Sequence, residues 1–288
     1  MAFYGMVTTE GSSAYTPHAL HSFFGTTELM PTDKFYLIDN DGNFDSDDFS
    51  EKLEVIRNET PKSFAQNVNQ IMRLAAAARA DLFFLNNDLI FTPGWNPPLL
   101  VQAPVIFSPV SNREIQYETR SFTFRNVLSL DDYLSHLPEF GELLQTHQAR
   151  KLSYMNVAML PFFCVKIPFA IYSVVGSLDE RFGRGGGEDN DYCLRTVLAG
   201  FKIHYAMQSF VLHFNGRSTW QVENEQETKK RCLTFTSKFK EKWGEKLTRF
   251  AIEGDISVIE GPDLQPLLHQ GNLREVVRTL AALDGKIF

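Results

Sequence analysis

Several groups of side chains in this sequence have types and spacings suited to holding a cation or moving a proton. The densest is "GRGGGEDND", Gly183 to Asp191, where four glycines and an arginine precede three carboxylates within four positions. Glycines tolerate positive φ and let backbone approach a ligand closely. A run of them before a helix also permits a hinge, so Gly186 and Gly187 are candidate loop residues. Glu188, Asp189 and Asp191 then fall in the first turn of a helix, where the dipole favours negative charge. Capping uses one acid rather than three, and crowded carboxylates repel. A cation or an acceptor hydroxyl among them accounts better for the cluster. Arg195 stands one turn beyond Asp191 and is placed to pair with it.

Two polar turns and a histidine are the next candidates. "LNND", Leu85 to Asp88, closes an apolar run. A carboxylate fixed there beside amide side chains suits a hard divalent ion whose other ligands are phosphate oxygens. A plain turn or helix cap uses the same residue types. "DNDG", Asp39 to Gly42, also ends an apolar run, and Asp39 is placed either to accept hydrogen bonds from a base or ribose or simply to close the turn. His213, in "VLHFNG", lies between apolar residues and by itself reads as an ordinary histidine of a strand.

These residues must be positioned by elements that the pattern makes legible. "AFYGMVT", "DKFYLID", "KLEVIRN" and "DLFFLNNDLIF" read as strands. "PKSFAQNVNQIMRLAAAARA" between the last two has helical spacing with a proline in its first turn. "HALHSFFG" reads as a helix stopped by Gly25. Alternation of strands and helices predicts an α/β domain with a mostly parallel sheet. In such sheets ligands collect at the carboxyl ends of strands, which is where both polar turns fall. Further on, "SLDDYLSHLPEFGELLQ" reads as helical after a Ser-x-x-Asp start. The apolar stretch from Val157 to Gly176 is broken by Pro161, Lys166 and Pro168 and reads as a core strand plus a buried helix. "EDNDYCLRTVLAGFKIHYA" predicts a helix stopped by Gly200 and then a strand. "SFVLHFNGRSTW" predicts a further strand, "ENEQETKKRCLTFTSKFKEKWGEKL" a long charged helix, and the last segment two short helices around Gly271.

The totals set outer bounds. With 288 residues, 43% hydrophobic and 22% charged, the chain can bury a sizeable core. A net charge of -7 and a pI near 5.5 argue against a nucleic-acid-binding surface. Three widely spaced cysteines without a CxxC predict neither a zinc site nor a disulfide framework and point to a reducing compartment. No apolar stretch is long enough to span a bilayer, and the N-terminus does not read as a signal peptide. The basic-leaning stretch Lys238 to Arg249 is either a solvated helix face or a peripheral contact with anionic lipid.

Taken in order, these features resemble the family 2-like glycosyltransferases of the GT-A fold. The resemblance rests on Asp39-Asn40-Asp41 after the second strand, "FLNND" after an alanine-rich helix, "GGEDNDYCLRTVLAGFKI", and a histidine about twenty residues later. "GGED" is also similar to the carboxyl halves of galactosyltransferases and polypeptide N-acetylgalactosaminyltransferases. It covers roughly Phe3 to Trp220. It implies a GT-A domain over 1–222 with a helical extension over 223–288, and an inverting transfer of a sugar from a UDP, GDP or dTDP donor to a glycan or lipid-linked acceptor. By the same resemblance, Asp39, Asp41, Asn67 and Asn87 would contact the nucleotide. Asp88 and His213 would bind Mn²⁺ or Mg²⁺ on the diphosphate. Asp189 would be the base, with Glu188 beside it. Trp95, Gly186, Gly187 and Asp191 would face the acceptor or form the loop over it. Asn86 departs from the pattern, standing where the family's motif has its first aspartate. The chemistry so implied belongs in the cytoplasm, in polysaccharide biosynthesis at or near the inner membrane face. A nucleotidyltransferase would want a glycine-rich signature with a basic residue near the N-terminus, which "VTTEGSSAYTPH" lacks. A non-catalytic sugar- or partner-binding module on the same fold is the other reading.

Overall fold

The apolar runs line up side by side in one mixed sheet. The computed structural model describes residues 1–288 except 13, 43, 46, 50, 113–128, 150–152 and 217–222. Its strands are β1 (Ala2–Thr8), β2 (Lys34–Asp39), β3 (Glu54–Arg57), β4 (Asp81–Asn86), β5 (Leu89–Phe91), β6 (Val105–Ser111), β7 (Tyr154–Asn156), β8 (Cys164–Ile167) and β9 (Lys202–His213). Among the described residues the order is β3-β2-β1-β4-β8-β6-β9-β5, with β7 also paired to β9. The β1–β2, β1–β4 and β2–β3 pairs are parallel. Strand β8 runs against β4 and β6, and β5 and β7 run against β9.

The helices are α1 (Thr16–Thr26), α2 (Phe64–Ala78), α3 (Leu130–Ser135), α4 (Leu137–Gln148), α5 (Phe169–Val175), α6 (Glu188–Leu198), α7 (Glu225–Trp243), α8 (Glu245–Ala251), α9 (Gln265–His269) and α10 (Leu273–Leu283). Helix α2 begins in a capping box rather than at the proline. The Ser63 hydroxyl accepts from Gln66 N, and the Gln66 side chain accepts from Ser63 N, so Pro61 lies ahead of the cap.

Two strands differ from the sequence reading. "DLFFLNNDLIF" is not one strand: Asn87 and Asp88 turn the chain from β4, beside β1, to β5, beside β9. Conversely, the two runs around Gln208 form the single 12-residue β9, whose pairing with β6 shifts register between Pro109 and Val110.

Each sheet face carries its own core. One is aromatic, built around Phe23 of α1 with Phe35, Phe83, Phe91 and Trp95. The other contains Val68, Leu82, Val165 and Leu194 and extends without a break to Phe239, Trp243, Leu247, Val277 and Leu280. The helices after residue 222 therefore share a core with the sheet. The boundary expected at 222/223 adjoins residues outside the description.

Helix α7 is fastened to the start of α6 by one carboxylate. Asp191, fully buried, accepts from Arg195 Nε at 2.9 Å and Trp243 Nε1 at 2.8 Å, and its Oδ1 lies 2.5 Å from Lys242 Nζ. The side chain read as facing an acceptor is thus directed into the α6–α7 contact. The glycines before it serve the same contact. Gly186 and Gly187 have φ of 119° and 82°, a Cβ on Gly186 would overlap the Phe235 ring, and Gly187 lies within ordinary contact of Phe239 but needs its positive φ. Their freedom is used for close approach of α7. In the stretch Lys238 to Arg249, Phe239, Trp243 and Leu247 face inward. Three of its four lysines are engaged within the chain: Lys238 with the Arg181 carbonyl, Lys240 with Glu245, and Lys242 with Asp179 and Asp191. Among the described residues no helix is long and apolar enough to cross a membrane.

Replacing Asp191 with alanine removes the acceptor of three donors in a buried site. Unfolding in urea is expected to show a loss of roughly 3 kcal/mol; a loss below about 1 kcal/mol, the size of an exposed pair, would mean that Asp191 does not fasten α7.

Candidate active site

The parallel register brings the polar turns to one edge. Thr8 at the end of β1 pairs with Asp39 at the end of β2, and Val7 pairs with Asn86 at the end of β4. Asp39 is buried and spends its carboxylate locally. Its oxygens accept from Gly42 N at 2.9 Å and Phe44 N at 3.1 Å, with Arg57 Nε at 3.5 Å. It therefore shapes the turn that carries the half-buried Asp41. Asn67 on α2 belongs to an amide cluster. Its Oδ1 accepts from Asn58 Nδ2 at 2.9 Å, and its Nδ2 donates to Asn40 Oδ1 at 3.2 Å. This stitches α2 to the ends of β2 and β3. Asn87 is buried and donates to the hydroxyls of Ser12 at 2.6 Å and Thr16 at 2.9 Å, which ties the turn after β4 to the segment after β1.

Asp88 and His213 meet across the β5–β9 ladder. Leu89 pairs with His213, and Phe214 N donates to the Asp88 carbonyl at 3.0 Å. The side chains converge, with Asp88 Oδ1 3.4 Å from His213 Nε2, both buried. The imidazole stacks on Phe163 at 5.0 Å and 21°, and His213 N donates to Asn112 Oδ1 at 2.8 Å. Two ligands about 2.1 Å from one ion and a right angle apart stand about 3 Å from each other. The oxygen–nitrogen pair thus has the spacing and the donor types for a divalent cation of the Mn²⁺ or Mg²⁺ kind. Among the described residues no group of three His, Cys, Asp or Glu converges to hold a metal ion. Asp88 and His213 would supply two positions and leave the rest to substrate oxygens and water.

A cleft of about 210 Å³ opens at this edge. One wall carries Asn86, Phe163 and His213, and the other carries Gly186, Glu188 and Asp189, with Arg231 of α7 also lining it. The two adjacent carboxyls differ. Glu188 is only 4% exposed and accepts from Gly186 N at 2.5 Å. Burial, reinforced by the negative charge of Asp189, pushes its carboxyl up to about 8. Asp189 is half-buried, and its Oδ1 accepts from Asn190 N at 2.8 Å. Beyond β9 the wall continues in Asn215 and Gly216, both with positive φ.

This arrangement has known parallels in architecture. The protein shares its course with GalNAc-T7, solved with UDP, GalNAc and Mn²⁺, at a TM-score of 0.57 and 15% identity over 96% of this chain and 54% of that one. It shares it also with S. aureus TarS 1-349 in complex with UDP-GlcNAc, at 0.54 and 11% over 97% of this chain and 84% of that one. The fold is that of the GT-A glycosyltransferases. The chain spans about half the length of GalNAc-T7. No protein-family profile matches it, and no curated protein matches it in sequence.

Within this GT-A fold the structure brings together Asn86, Asp88, Glu188, Asp189, Gly186 and His213. Gly187 lies one residue behind the cleft wall, against α7. Asp39, Asp41, Asn67 and Asn87 lie in and behind the turns of the same sheet edge without lining the cleft, and two further candidates lie elsewhere. Asp191 is in the α6–α7 contact. Trp95 is fully buried in the aromatic core against Phe91 and Phe23, its Nε1 donating to Thr27 Oγ1 at 2.9 Å, because "TPGW" folds beneath β5 instead of over the cleft. Arg231 went unread in the sequence. It is one cation among many in a charged helix, and only the docking of α7 carries it to the cleft.

The raised Glu188 sets a pH signature. The unfolded chain releases this proton near 4.5 and the folded chain near 8, so this group's contribution to stability falls as pH rises through that interval. Glu188→Gln removes it. Denaturant midpoints at pH 5.5 and pH 8 are expected to show the variant gaining on the wild type at the higher pH; a difference that does not change with pH would mean that Glu188 ionises normally.

Proposed function

We propose that the protein is a glycosyltransferase: it moves a sugar from a nucleotide-diphosphate donor (UDP, GDP or dTDP) to a hydroxyl of a glycan or lipid-linked acceptor, with inversion at the anomeric carbon. The observation that carries this reading is the cleft itself, with Asp189 and Glu188 on one wall and His213, backed by Asp88, on the other. Solved proteins of the same fold hold nucleotides or a nucleotide-sugar, and one also holds Mn²⁺. We place the reaction in the cytoplasm, where the three free cysteines would persist as thiols.

Asp88 and His213 would hold the divalent ion, Mn²⁺ or Mg²⁺, which when bound offsets the charge of the departing diphosphate. Asp189 accepts the proton of the acceptor hydroxyl as its oxygen attacks the anomeric carbon and the bond to the diphosphate oxygen breaks. Glu188, its carboxyl raised by burial and by the charge of Asp189, is the weaker candidate for that proton and holds the glycine turn through Gly186 N. Arg231 reaches the cleft already paired through its Nε with the buried Glu223 side chain at 2.8 Å, so the pair brings hydrogen-bond donors and little net charge. Asn86 contributes no charge, which leaves Asp88 the single anionic ligand on that wall.

Asp189→Asn is expected to lower transfer by about 10²-fold or more while nucleotide binding in Mn²⁺ is kept; full activity in that variant would remove Asp189 from the role. Asp88→Asn is expected to abolish the Mn²⁺-dependent thermal shift produced by UDP-, GDP- or dTDP-sugars. If none of these donors shifts the melting of the wild type or is hydrolysed with Mn²⁺, the non-catalytic binding module is the better reading.

A further inference from the structure

One face of the His213 imidazole is covered by the Phe163 ring, with centroids 5.0 Å apart and planes within 21°. Phe163 stands just before β8 and is 2% exposed. Its ring belongs to the aromatic core that also contains Phe83, Phe91 and Trp95, and it lines the cleft. Its carbonyl accepts from Asn86 N at 2.7 Å. A single residue therefore touches both halves of the proposed cation site. Its backbone holds the start of the turn that carries Asp88, and its side chain lies flat on His213.

The stacking matters because of how a histidine can move. The torsion about its Cβ–Cγ bond is broad rather than confined to staggered wells. The β5–β9 ladder and the bond from His213 N to Asn112 Oδ1 at 2.8 Å fix the backbone, not the ring plane. Turning the ring swings Nε2 away from Asp88 Oδ1, which is 3.4 Å off. A neighbouring ring anchored in the core resists that turn. Phe163 bears on charge as well. A cation that takes the imidazole lone pair leaves the ring electron-poor, and an aromatic face stabilises positive charge held above it.

We propose that Phe163 is a positioning residue for the cation: its ring holds the His213 imidazole in the plane that aims Nε2 at an ion shared with Asp88. The assignment rests on the reading of Asp88 and His213 as cation ligands. It gives the Phe163 side chain a task beyond filling the core.

Electron paramagnetic resonance of Mn²⁺ with inorganic pyrophosphate on the full chain measures the site without sugar donor, acceptor or turnover. Phe163→Met keeps most of the volume and removes the aromatic face. Phe163→Leu removes it too and serves where the first variant misfolds. Phe162→Leu is the packing control: that ring is 3% exposed in the same cleft but packs on Tyr192 at 5.8 Å. Both Phe163 variants are expected to bind Mn²⁺ about fivefold more weakly or worse, with Phe162→Leu within about twofold of wild type. Without Mn²⁺, the His213 ring protons, identified by their loss in His213→Gln, should move downfield once the face above them is gone. Unchanged Mn²⁺ affinity in both Phe163 variants, an equal loss in Phe162→Leu, or His213 signals that stay in place would each overturn the assignment. A wild type that captures no Mn²⁺, and so matches Asp88→Asn, would overturn the cation site itself and the assignment with it.

Discussion

The architecture of the cleft depends on a buried carboxylate that never faces it. Asp191 gathers a guanidinium, an indole N–H and an ammonium in a site sealed from water. A charge so placed is tolerable only while its partners stay. Two of those partners, Lys242 and Trp243, come from the end of α7. Holding that end down lays Phe235 and Phe239 over Gly186 and Gly187, and the turn in front of α6 can then take only a shape that glycine allows. The same docking brings Arg231 to the cleft. A helix about forty residues away in sequence therefore fixes the wall that carries Glu188 and Asp189.

The three acids of "EDND" illustrate how burial divides identical chemistry into different roles. Asp191 is buried with cations and stays charged as a structural fastener. Glu188 is buried without an equal countercharge and holds its proton into the neutral range. Asp189 remains partly open to the cleft. One cap does not need three acids, and the surplus is divided between different contacts. One acid fastens a helix, one has its carboxyl raised by burial, and one stays partly open to the cleft.

Much of this was legible in the residues, for reasons that can be named. Strands β1, β2 and β4 are buried on both faces, so each reads as an unbroken apolar run ending in a polar turn. Parallel register then puts Asp39 and the residues after Asn86 at one edge without further information. What escaped was set by tertiary contact. The split between β4 and β5 depends on β9 being available to pair with Leu89–Phe91. Trp95 carries the apolar mass of a core residue and an indole N–H that a ligand or Thr27 satisfies equally well, and only packing decides. The glycine run reads equally as a hinge or as a place of close approach, because glycine marks either. Phe235, which distinguishes the two, sits in a helix whose partner no local pattern announces.

The mixed topology also explains why polar chemistry occurs at both ends of one sheet. Parallel strands send their carboxyl ends, and the turns that carry ligands, to a single edge. Strand β8 runs the other way between β4 and β6, so its residues near Ile167 lie beside the beginning of β4. Lys166 follows from that reversal: it projects to the face of Phe83, within reach of Asp81 at the first residue of β4. A buried lysine beside aromatic rings adds little stability over an apolar residue of the same size. Its ammonium is held by Asp81 and the Val101 carbonyl, which ties the end of β8 to the start of β4 and to the segment before β6. One inverted strand thus gives the aromatic core a polar floor at the edge opposite the cleft.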